Sequence, residues 1–290
     1  MIYSLNKKYF GTSNTEKISE VDASSDIIDL CYVKDFGFFF LIKNDYSLHY
    51  VDLSGGVHYS HIGASQKNVS RDGSKEYALF NAPSSMMYSE RLNVLFVIED
   101  GGKQIRKVEI PSFYVSSLLN GESKKSVDHY YSKINTRLSE TNGAINANGV
   151  VYWVNNILNR CLMFDLFSVS NMIGIGHAGY SVCSDIKRSL LNSPCGISFF
   201  NGAIYIADTG NHCIRKIENN KIFLVAGSPT KNDLTRPRKV RIKNNIGYFI
   251  DENLVKYLSM PGYQVGTAYE SKNIAAIEII NKDLFVVENI

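Results

Sequence analysis

The chain has 290 residues, of which 44% are hydrophobic, and a formal net charge of +3. This size allows a large core, and no apolar run reaches the roughly 20 residues that a transmembrane helix needs. The small excess of positive charge does not by itself indicate nucleic-acid binding. The N-terminus lacks an apolar leader segment, so we expect a soluble, intracellular protein without membrane association.

The cysteines argue against a disulfide framework and against a zinc site. There are five of them, an odd number, and no pair has Cys-x-x-Cys spacing. We therefore expect all five to be reduced thiols.

A short apolar strand recurs six times along the chain, and a polar turn follows every copy but the last. The copies begin near residues 38, 94, 150, 203, 246 and 284, which gives spacings of 38 to 56 residues. Such spacing is typical of a repeat protein built from four-stranded antiparallel sheets. Because the strands are apolar on both faces, each sheet must be covered on both sides, and a neighbouring copy can provide that cover.

The clearest copy is Asn192–Gly227. Gly, Asn and Asp turns separate its four predicted strands, which are Gly196–Phe200, Ala203–Ala207, Cys213–Ile217 and Ile222–Val225. On the second strand, Tyr205 and its alternate neighbours point to one face, whereas Ile204 and Ile206 point to the other.

The sequence motif of this copy resembles that of a known repeat family. The matching segments are Pro194-x-Gly196-Ile197, then Gly202-x-Ile204-Tyr205-Ile206-Ala207-Asp208-Thr209-Gly210-Asn211-His212-x-Ile214-Arg215-Lys216-Ile217, then Val225-Ala226-Gly227. They closely resemble the NHL repeat, whose copies form the blades of β-propellers. The resemblance implies a fold and says less about function, because propellers carry many unrelated activities.

The predicted architecture is an all-β, six-bladed β-propeller of four-stranded antiparallel blades in a single domain, residues 1–290. The predicted blades are 26–63, 80–119, 141–176, 190–227, 235–269, and 274–290 combined with 1–11. The last copy ends after its second strand, so Ile2–Leu5 and Lys8–Gly11 are predicted to supply its missing strands. Residues 120–140 are predicted to form an exposed insertion, and no run predicts a helix longer than two turns.

Function is expected on the face that collects the loops before each first strand and the turns between second and third strands. Basic side chains gather there, and the predicted binding residues are Lys187, Arg188, Lys231, Arg236, Arg238 and Lys103. We expect a monomeric, non-enzymatic recognition module that binds a protein or peptide on this face and uses no cofactor.

Two alternatives stay open. RNA could bind to a basic top-face cluster, as it does in some NHL-containing proteins. That cluster comprises Lys187, Arg188, Lys231, Arg236, Arg238 and Lys239. The resemblance to propeller hydrolases also allows a metal-dependent hydrolase or lyase in the central channel. Its cation would take oxygen ligands from positions just before the first strands, namely Asp26, Asn81, Glu140 and Asn192. No trio of histidines falls at equivalent positions, so a three-histidine zinc site is not predicted.

Two further motifs are interpreted as structural parts of the repeat and not as functional sites. Asp208, with Asn211 and Arg215, belongs to the repeat turn and is not expected to be catalytic. The motif Gly174-x-Gly176-x-x-Gly179 matches a dinucleotide-binding pattern, but it aligns with the blade end at Gly227 and not with a strand-to-helix turn.

Overall fold

The computed structural model of the chain describes residues 2–6, 26–52, 58–64, 69–119, 121–131, 141–146, 148–181, 183, 185–231, 233–280 and 283–289. Its contacts divide the chain into two compact units, described separately below. The first comprises residues 1–100, 104–119 and 271–290, and the second comprises residues 101–103 and 120–270. That all 290 residues form a single domain stays a prediction.

The first unit contains two four-stranded antiparallel sheets, called blades 1 and 2. The strands of blade 1 are Ile27–Val33, Gly37–Ile42, Leu48–Asp52 and His58–Ile62. The strands of blade 2 are Ser85–Ser89, Val94–Glu99, Gln104–Glu109 and Val115–Ser117. Each second strand is buried along its whole length, which requires cover on both faces.

Blade 1 obtains this cover from two different sheets. Phe39 and Leu41 belong to a core shared with Leu95 of blade 2. Phe38 and Phe40 alternate with them and belong to a second core, shared with the strands near the C-terminus. The period of two along a strand therefore sends neighbouring side chains into separate cores.

The third sheet of this unit shows that the predicted number of four-stranded blades, six, is wrong. Among the described residues there are five four-stranded blades, not six, because the last sheet has three strands, Ile274–Ile280, Asp283–Glu288 and Ile2–Asn6. Ile2–Asn6 pairs with Asp283–Glu288, as predicted, but runs parallel to it, with Tyr3 opposite Phe285. No hairpin joins these two strands, so no turn imposes the antiparallel direction. The second predicted N-terminal strand, Lys8–Gly11, lies outside the described residues.

The second unit contains blades 3, 4 and 5, which are all four-stranded and antiparallel. The strands of blade 3 are Thr141–Ile145, Val151–Asn155, Arg160–Phe164 and Val169–Ile173. Those of blade 4 are Gly196–Phe200, Ala203–Asp208, Cys213–Glu218 and Lys221–Gly227. Those of blade 5 are Pro237–Lys243, Ile246–Asp251, Leu254–Ser259 and Gln264–Glu270.

The second strand of blade 4 divides its side chains as the sequence predicts. Ile204 and Ile206 enter a core shared with Val154 of blade 3. Tyr205 enters the opposite core, which it shares with Phe249 of blade 5. Burying each large apolar side chain is worth about 1.5–3 kcal/mol, so these cores contribute much of the stability of the unit.

The segment after blade 2 is not the exposed insertion that the sequence suggested. It forms an 11-residue helix, Gly121–Tyr131, in which Val127 and Tyr131 are buried. Tyr131 Oη accepts a hydrogen bond from Trp153 Nε1 at 3.2 Å. One apolar pair at positions i and i+4 was too little periodicity to predict the helix, although such a pair suffices to dock it.

The glycine-rich motif is a blade end, as predicted. Gly174 directly follows the fourth strand of blade 3, and Gly227 ends the fourth strand of blade 4. Both have a positive φ, and a Cβ at either position would lie 2.2 Å from a backbone oxygen, that of Asn159 or of His212. These positions therefore require glycine for backbone geometry and not for phosphate binding.

Candidate functional site

Two loops of the second unit lead into blades 4 and 5. The blade 4 loop comprises residues 174–195, and the blade 5 loop comprises residues 228–236. In an antiparallel four-stranded sheet, the start of the first strand, the end of the second and the start of the third lie at one edge. We call this end of a blade its upper edge. The upper edge of blade 4 therefore also carries the 3₁₀ turn Thr209–Asn211, which joins the second and third strands.

The turn holds the blade 4 loop by side-chain hydrogen bonds. Asn211 Nδ2 donates to the carbonyl of Gly179 at 2.8 Å and to Asp208 Oδ2 at 2.8 Å. In return, Asn192 Nδ2 donates to the carbonyl of Gly210 at 3.0 Å. The loop is thus fixed at two points far apart in its sequence.

The same turn holds the blade 5 loop on its other side. His212 Nδ1 donates to the carbonyl of Thr235 at 2.7 Å. Thr209 Oγ1 donates to the carbonyl of Pro237, where the first strand of blade 5 begins, at 2.6 Å. One short turn therefore anchors both loops.

A buried arginine completes the anchoring. Arg215 Nη1 donates to Asp208 Oδ2 at 3.1 Å and to the carbonyl of Leu190 at 2.7 Å, and Nη2 donates to the carbonyl of Ser181 at 2.8 Å. The Tyr180 ring stacks on the guanidinium, with 4.8 Å between the Arg215 Cζ and the ring centroid. The arginine thus joins the blade to both ends of a loop segment, and its charge is paired and hydrogen-bonded.

The Asp208 carboxyl serves this framework. Burial raises its pKa, and hydrogen bonds from Asn192, Asn211 and Arg215 counteract the rise. All of these partners belong to the repeat, and the side chain is fully buried. This geometry indicates a structural carboxylate, in agreement with the sequence interpretation.

Blade 2 repeats the arrangement. Arg106 donates to Glu99 Oε1 at 3.0 Å and to the carbonyls of Leu79 and Arg71, both at 2.9 Å. The carboxylate again precedes the arginine by seven residues, and both side chains are fully buried. Since two blades use the same device, it is a feature of the repeat and not of one specialised site.

Four of the predicted binding residues lie on the two anchored loops. Lys187 and Arg188 are exposed on a 3₁₀ turn, Ile186–Arg188, of the blade 4 loop. Lys231 and Arg236 are exposed on the blade 5 loop. Within the described part of the chain, these four side chains form no ion pair. We call Lys187, Arg188, Lys231 and Arg236 the basic quartet.

The other two predicted binding residues are placed differently. Arg238 is half-buried in the first strand of blade 5, opposite Ile250. Lys103 precedes the third strand of blade 2, and its carbonyl accepts a hydrogen bond from Lys124 Nζ of the helix at 3.0 Å. Lys103 is also half-buried, so both residues are less exposed than the basic quartet.

Sequence reasoning missed exposed apolar side chains near the blade 4 loop. Tyr180 is 40% exposed, Ile175 is 41% exposed and Ile157 is 37% exposed. A sequence pattern reports which residues are apolar, but solvent exposure in an irregular loop depends on tertiary contacts. The one available signal was that Tyr180 directly follows the glycine-rich motif.

Among the predicted metal ligands, Asn192 forms a side-chain hydrogen bond, whereas Asn81 and Asp26 form hydrogen bonds through their backbones. Asn192 uses its side-chain amide on Gly210, and the backbone N–H of Asn81 donates to Glu99 Oε2 at 3.0 Å. The carbonyl of Asp26 accepts a hydrogen bond from the Lys43 N–H at 2.7 Å. Glu140 lies outside the described residues. Across the described ranges, no group of three or more His, Cys, Asp or Glu side chains could hold a metal ion.

The cysteines are free thiols in the structure. Burial raises the pKa of Cys213 to about 12 and raises that of Cys161 as well. These two thiols are therefore protonated at neutral pH, which makes them poor nucleophiles.

Within the described residues, no helix combines the length and the apolar character needed to span a bilayer.

Comparison with known proteins identifies the repeat. The NHL repeat family model matches residues 191–217. The human protein NHL repeat-containing protein 2 is 51% identical over 43 residues, which cover 14% of this chain and 6% of that protein. The match thus spans a small part of the human protein.

Solved structures match over most of the chain. A chain in the crystal structure of a nidogen/laminin complex superposes with a TM-score of 0.61 at 13% identity, over 93% of this chain and 88% of that one. A catalytically inactive virginiamycin B lyase from Staphylococcus aureus, with quinupristin, gives 0.56 at 13% identity, over 90% and 76%. A streptogramin B lyase gives 0.52 at 14% identity, over 88% and 87%.

Identities of this size establish the fold and not the activity. The fold is an all-β propeller built from four-stranded antiparallel blades. The chain contains an NHL repeat at residues 191–217.

Proposed function

We propose that the chain is a non-enzymatic recognition module that binds a protein or peptide partner at the upper edge of blades 4 and 5. One observation carries the proposal. The basic quartet is exposed on two loops that share a single anchoring turn, and no carboxylate of the described residues pairs with it. Unpaired charges on a fixed framework are suited to binding a ligand of opposite charge.

The anchoring lowers the cost of binding. A mobile loop must be ordered when a ligand binds, which costs about 0.5–1.5 kcal/mol for each immobilised side chain. Here, hydrogen bonds from Asn211, His212 and Arg215 fix the loop backbones before any partner arrives. The long lysine and arginine side chains remain to be ordered, but the backbone that carries them does not.

The enzymatic alternative receives less support. The likeness to virginiamycin B lyase shows the fold alone, and the matched identity is 13%. The buried carboxylates Asp208 and Glu99 are committed to arginine partners. Within the described residues, no cluster of three or more His, Cys, Asp or Glu side chains supports a metal-dependent hydrolase or lyase.

A selection experiment tests the proposal. A random dodecapeptide phage library is selected in parallel on the wild-type chain and on Lys187→Glu/Arg236→Glu. The matched control is Lys221→Glu/Lys243→Glu, which reverses two exposed lysines at the lower edge of the same blades. Acidic peptides enriched on the wild type and on the control, but not on the upper-edge variant, support the proposal.

The same proteins are then tested against a pool of random 20-nucleotide RNAs by filter binding at 50, 150 and 300 mM salt. RNA binding that exceeds peptide binding at 150 mM salt, falls steeply with salt and disappears in the upper-edge variant would replace the proposal with RNA recognition. Equal peptide enrichment on all three proteins would refute it outright.

A further inference from the structure

We propose that the partner is an acidic segment that also carries an aromatic or large aliphatic side chain, and that Tyr180 receives that side chain. This inference rests on the proposed function and specifies the chemistry of its ligand. It is drawn from how Tyr180 is held, from a comparison of blades 2 and 4, and from the neighbouring surface.

Tyr180 is exposed and yet fixed in position. Its ring lies on the guanidinium of Arg215, which is itself buried and held by Asp208. The carbonyls on either side of it are also bound, that of Gly179 by Asn211 and that of Ser181 by Arg215. An aromatic ring that is ordered before binding can contribute contact area at a low entropic cost.

The anchoring device does not require an exposed ring at this position, because in blade 2 the ring that lies over Arg106 is that of the fully buried Phe80. Arg106 and Arg215 each donate through Nη2 to a loop carbonyl, that of Arg71 in blade 2 and that of Ser181 in blade 4. The residue before that carbonyl is Ser70 in blade 2 and Tyr180 in blade 4.

Ser70 donates its hydroxyl to the buried Glu99, so this position completes the carboxylate's hydrogen bonds in blade 2. In blade 4, Asn211 provides that hydrogen bond to Asp208 instead. Tyr180 is therefore released from the structural task that the corresponding residue performs in blade 2.

The surroundings of Tyr180 favour a partner that is both acidic and apolar. The Ser193 N–H of the blade 4 loop donates to Asn159 Oδ1 in the upper turn of blade 3, at 2.7 Å. That turn and the start of the loop present Ile157 and Ile175 to solvent. The basic quartet lies on the blade 4 and blade 5 loops. A segment that lies across this edge therefore meets apolar groups and unpaired positive charges together.

The test extends the peptide selection to Tyr180→Ala and Tyr180→Phe. Tyr77→Ala is the matched control, because Tyr77 is an exposed tyrosine that precedes blade 2. We expect peptides selected on the wild type to combine acidic residues with an aromatic or large aliphatic residue. On Tyr180→Ala the acidic preference should remain and the apolar preference should be lost, whereas Tyr180→Phe and Tyr77→Ala should behave like the wild type.

One selected peptide is then measured by fluorescence polarisation, together with a version whose apolar residue is replaced by serine. The replacement should weaken binding to the wild type about tenfold or more and should have little effect on Tyr180→Ala. Circular dichroism and thermal melting establish that each variant is folded. If Tyr180→Ala is destabilised, Tyr180→Ser replaces it, because serine occupies the corresponding position, Ser70, in blade 2.

The outcomes separate this inference from the proposed function. Acidic peptides without an apolar preference on the wild type would overturn the role of Tyr180 and leave the recognition module standing. An apolar preference that survives in Tyr180→Ala would likewise overturn it. The absence of any acidic preference on the wild type would overturn both.

Discussion

Arg215 Nη1 lies 3.1 Å from Asp208 Oδ2, and both side chains are withdrawn from solvent. Replacing Arg215 by alanine would leave the buried Asp208 carboxylate without its positive partner and two loop carbonyls without their donor. We expect Arg215→Ala to lower the free energy of unfolding by about 3–5 kcal/mol, as measured by urea denaturation.

The control for this loss is Lys107→Ala. Lys107 pairs with Glu109 at 2.7 Å, but both side chains are partly exposed, so we expect a change within about 1 kcal/mol. Similar losses for the two variants would show that the buried pair does not hold the blade 4 loop.

Gly227 and Gly202 allow two costs of an added Cβ atom to be separated, namely a steric clash at the blade end and the strain of a positive φ. Gly227 and Gly202 have φ values of +73° and +78°, but a Cβ on Gly227 would lie 2.2 Å from the His212 oxygen, whereas one on Gly202 would meet nothing within 4 Å. Gly202→Ala should cost about 1–2 kcal/mol from strain alone. Gly227→Ala should lower the thermal midpoint clearly further, and equal midpoints would contradict this account of the blade end.

Thr209 offers a nearly isosteric test of the anchoring turn. Its hydroxyl donates to the Pro237 carbonyl, and Thr209→Val removes that bond while keeping the shape of the side chain. The buried carbonyl would lose its donor, so we expect a loss of about 1–3 kcal/mol in urea denaturation. The exposed Thr230→Val should change stability by no more than about 0.5 kcal/mol, and an equally small effect at Thr209 would argue against the anchor.

Blade 1 should make stability depend on pH. Burial lowers the pKa of His49, against the opposing influence of Asp45, whose Oδ2 lies 3.2 Å from His49 Nε2. His49 Nδ1 lies 2.6 Å from Tyr59 Oη, and the His61 ring packs beside it. Because the folded-state pKa is below that of the unfolded chain, the unfolded state binds more protons between the two values.

The stability contributed by neutral His49 is therefore fully present above pH of about 6.5 and is lost as the pH falls through the folded-state pKa. Urea midpoints are measured from pH 8 to pH 5 for the wild type and for His49→Gln. We expect the wild type to lose stability relative to the variant below about pH 6.5. Parallel curves would show that His49 does not titrate in this way.

The local structure of blade 4 could be predicted from its sequence because its turn residues and its alternating apolar residues indicate the same strands. The predicted first strand, Gly196–Phe200, is observed with the same ends, and the predicted second strand, Ala203–Ala207, extends by one residue to Asp208. Turn residues and alternating apolar residues act over a few positions, so a short window of sequence contains the information.

Other features depend on contacts that a short window does not contain. The parallel direction of Ile2–Asn6 arises from pairing between the two ends of the chain. The helix Gly121–Tyr131 is docked by a hydrogen bond to Trp153, 22 residues beyond Tyr131. The Tyr180 ring is held by an arginine 35 residues further along the chain, and the one local signal is that Tyr180 directly follows the glycine-rich motif.

The central claim is that the basic quartet at the upper edge of blades 4 and 5 binds the partner. The most direct measurement is the affinity of one selected acidic peptide at 150 mM salt for the wild type, for Lys187→Glu/Arg236→Glu and for the lower-edge control Lys221→Glu/Lys243→Glu. We predict a loss of about tenfold or more for the upper-edge variant and little change for the control. Equal affinity for all three proteins would contradict the claim.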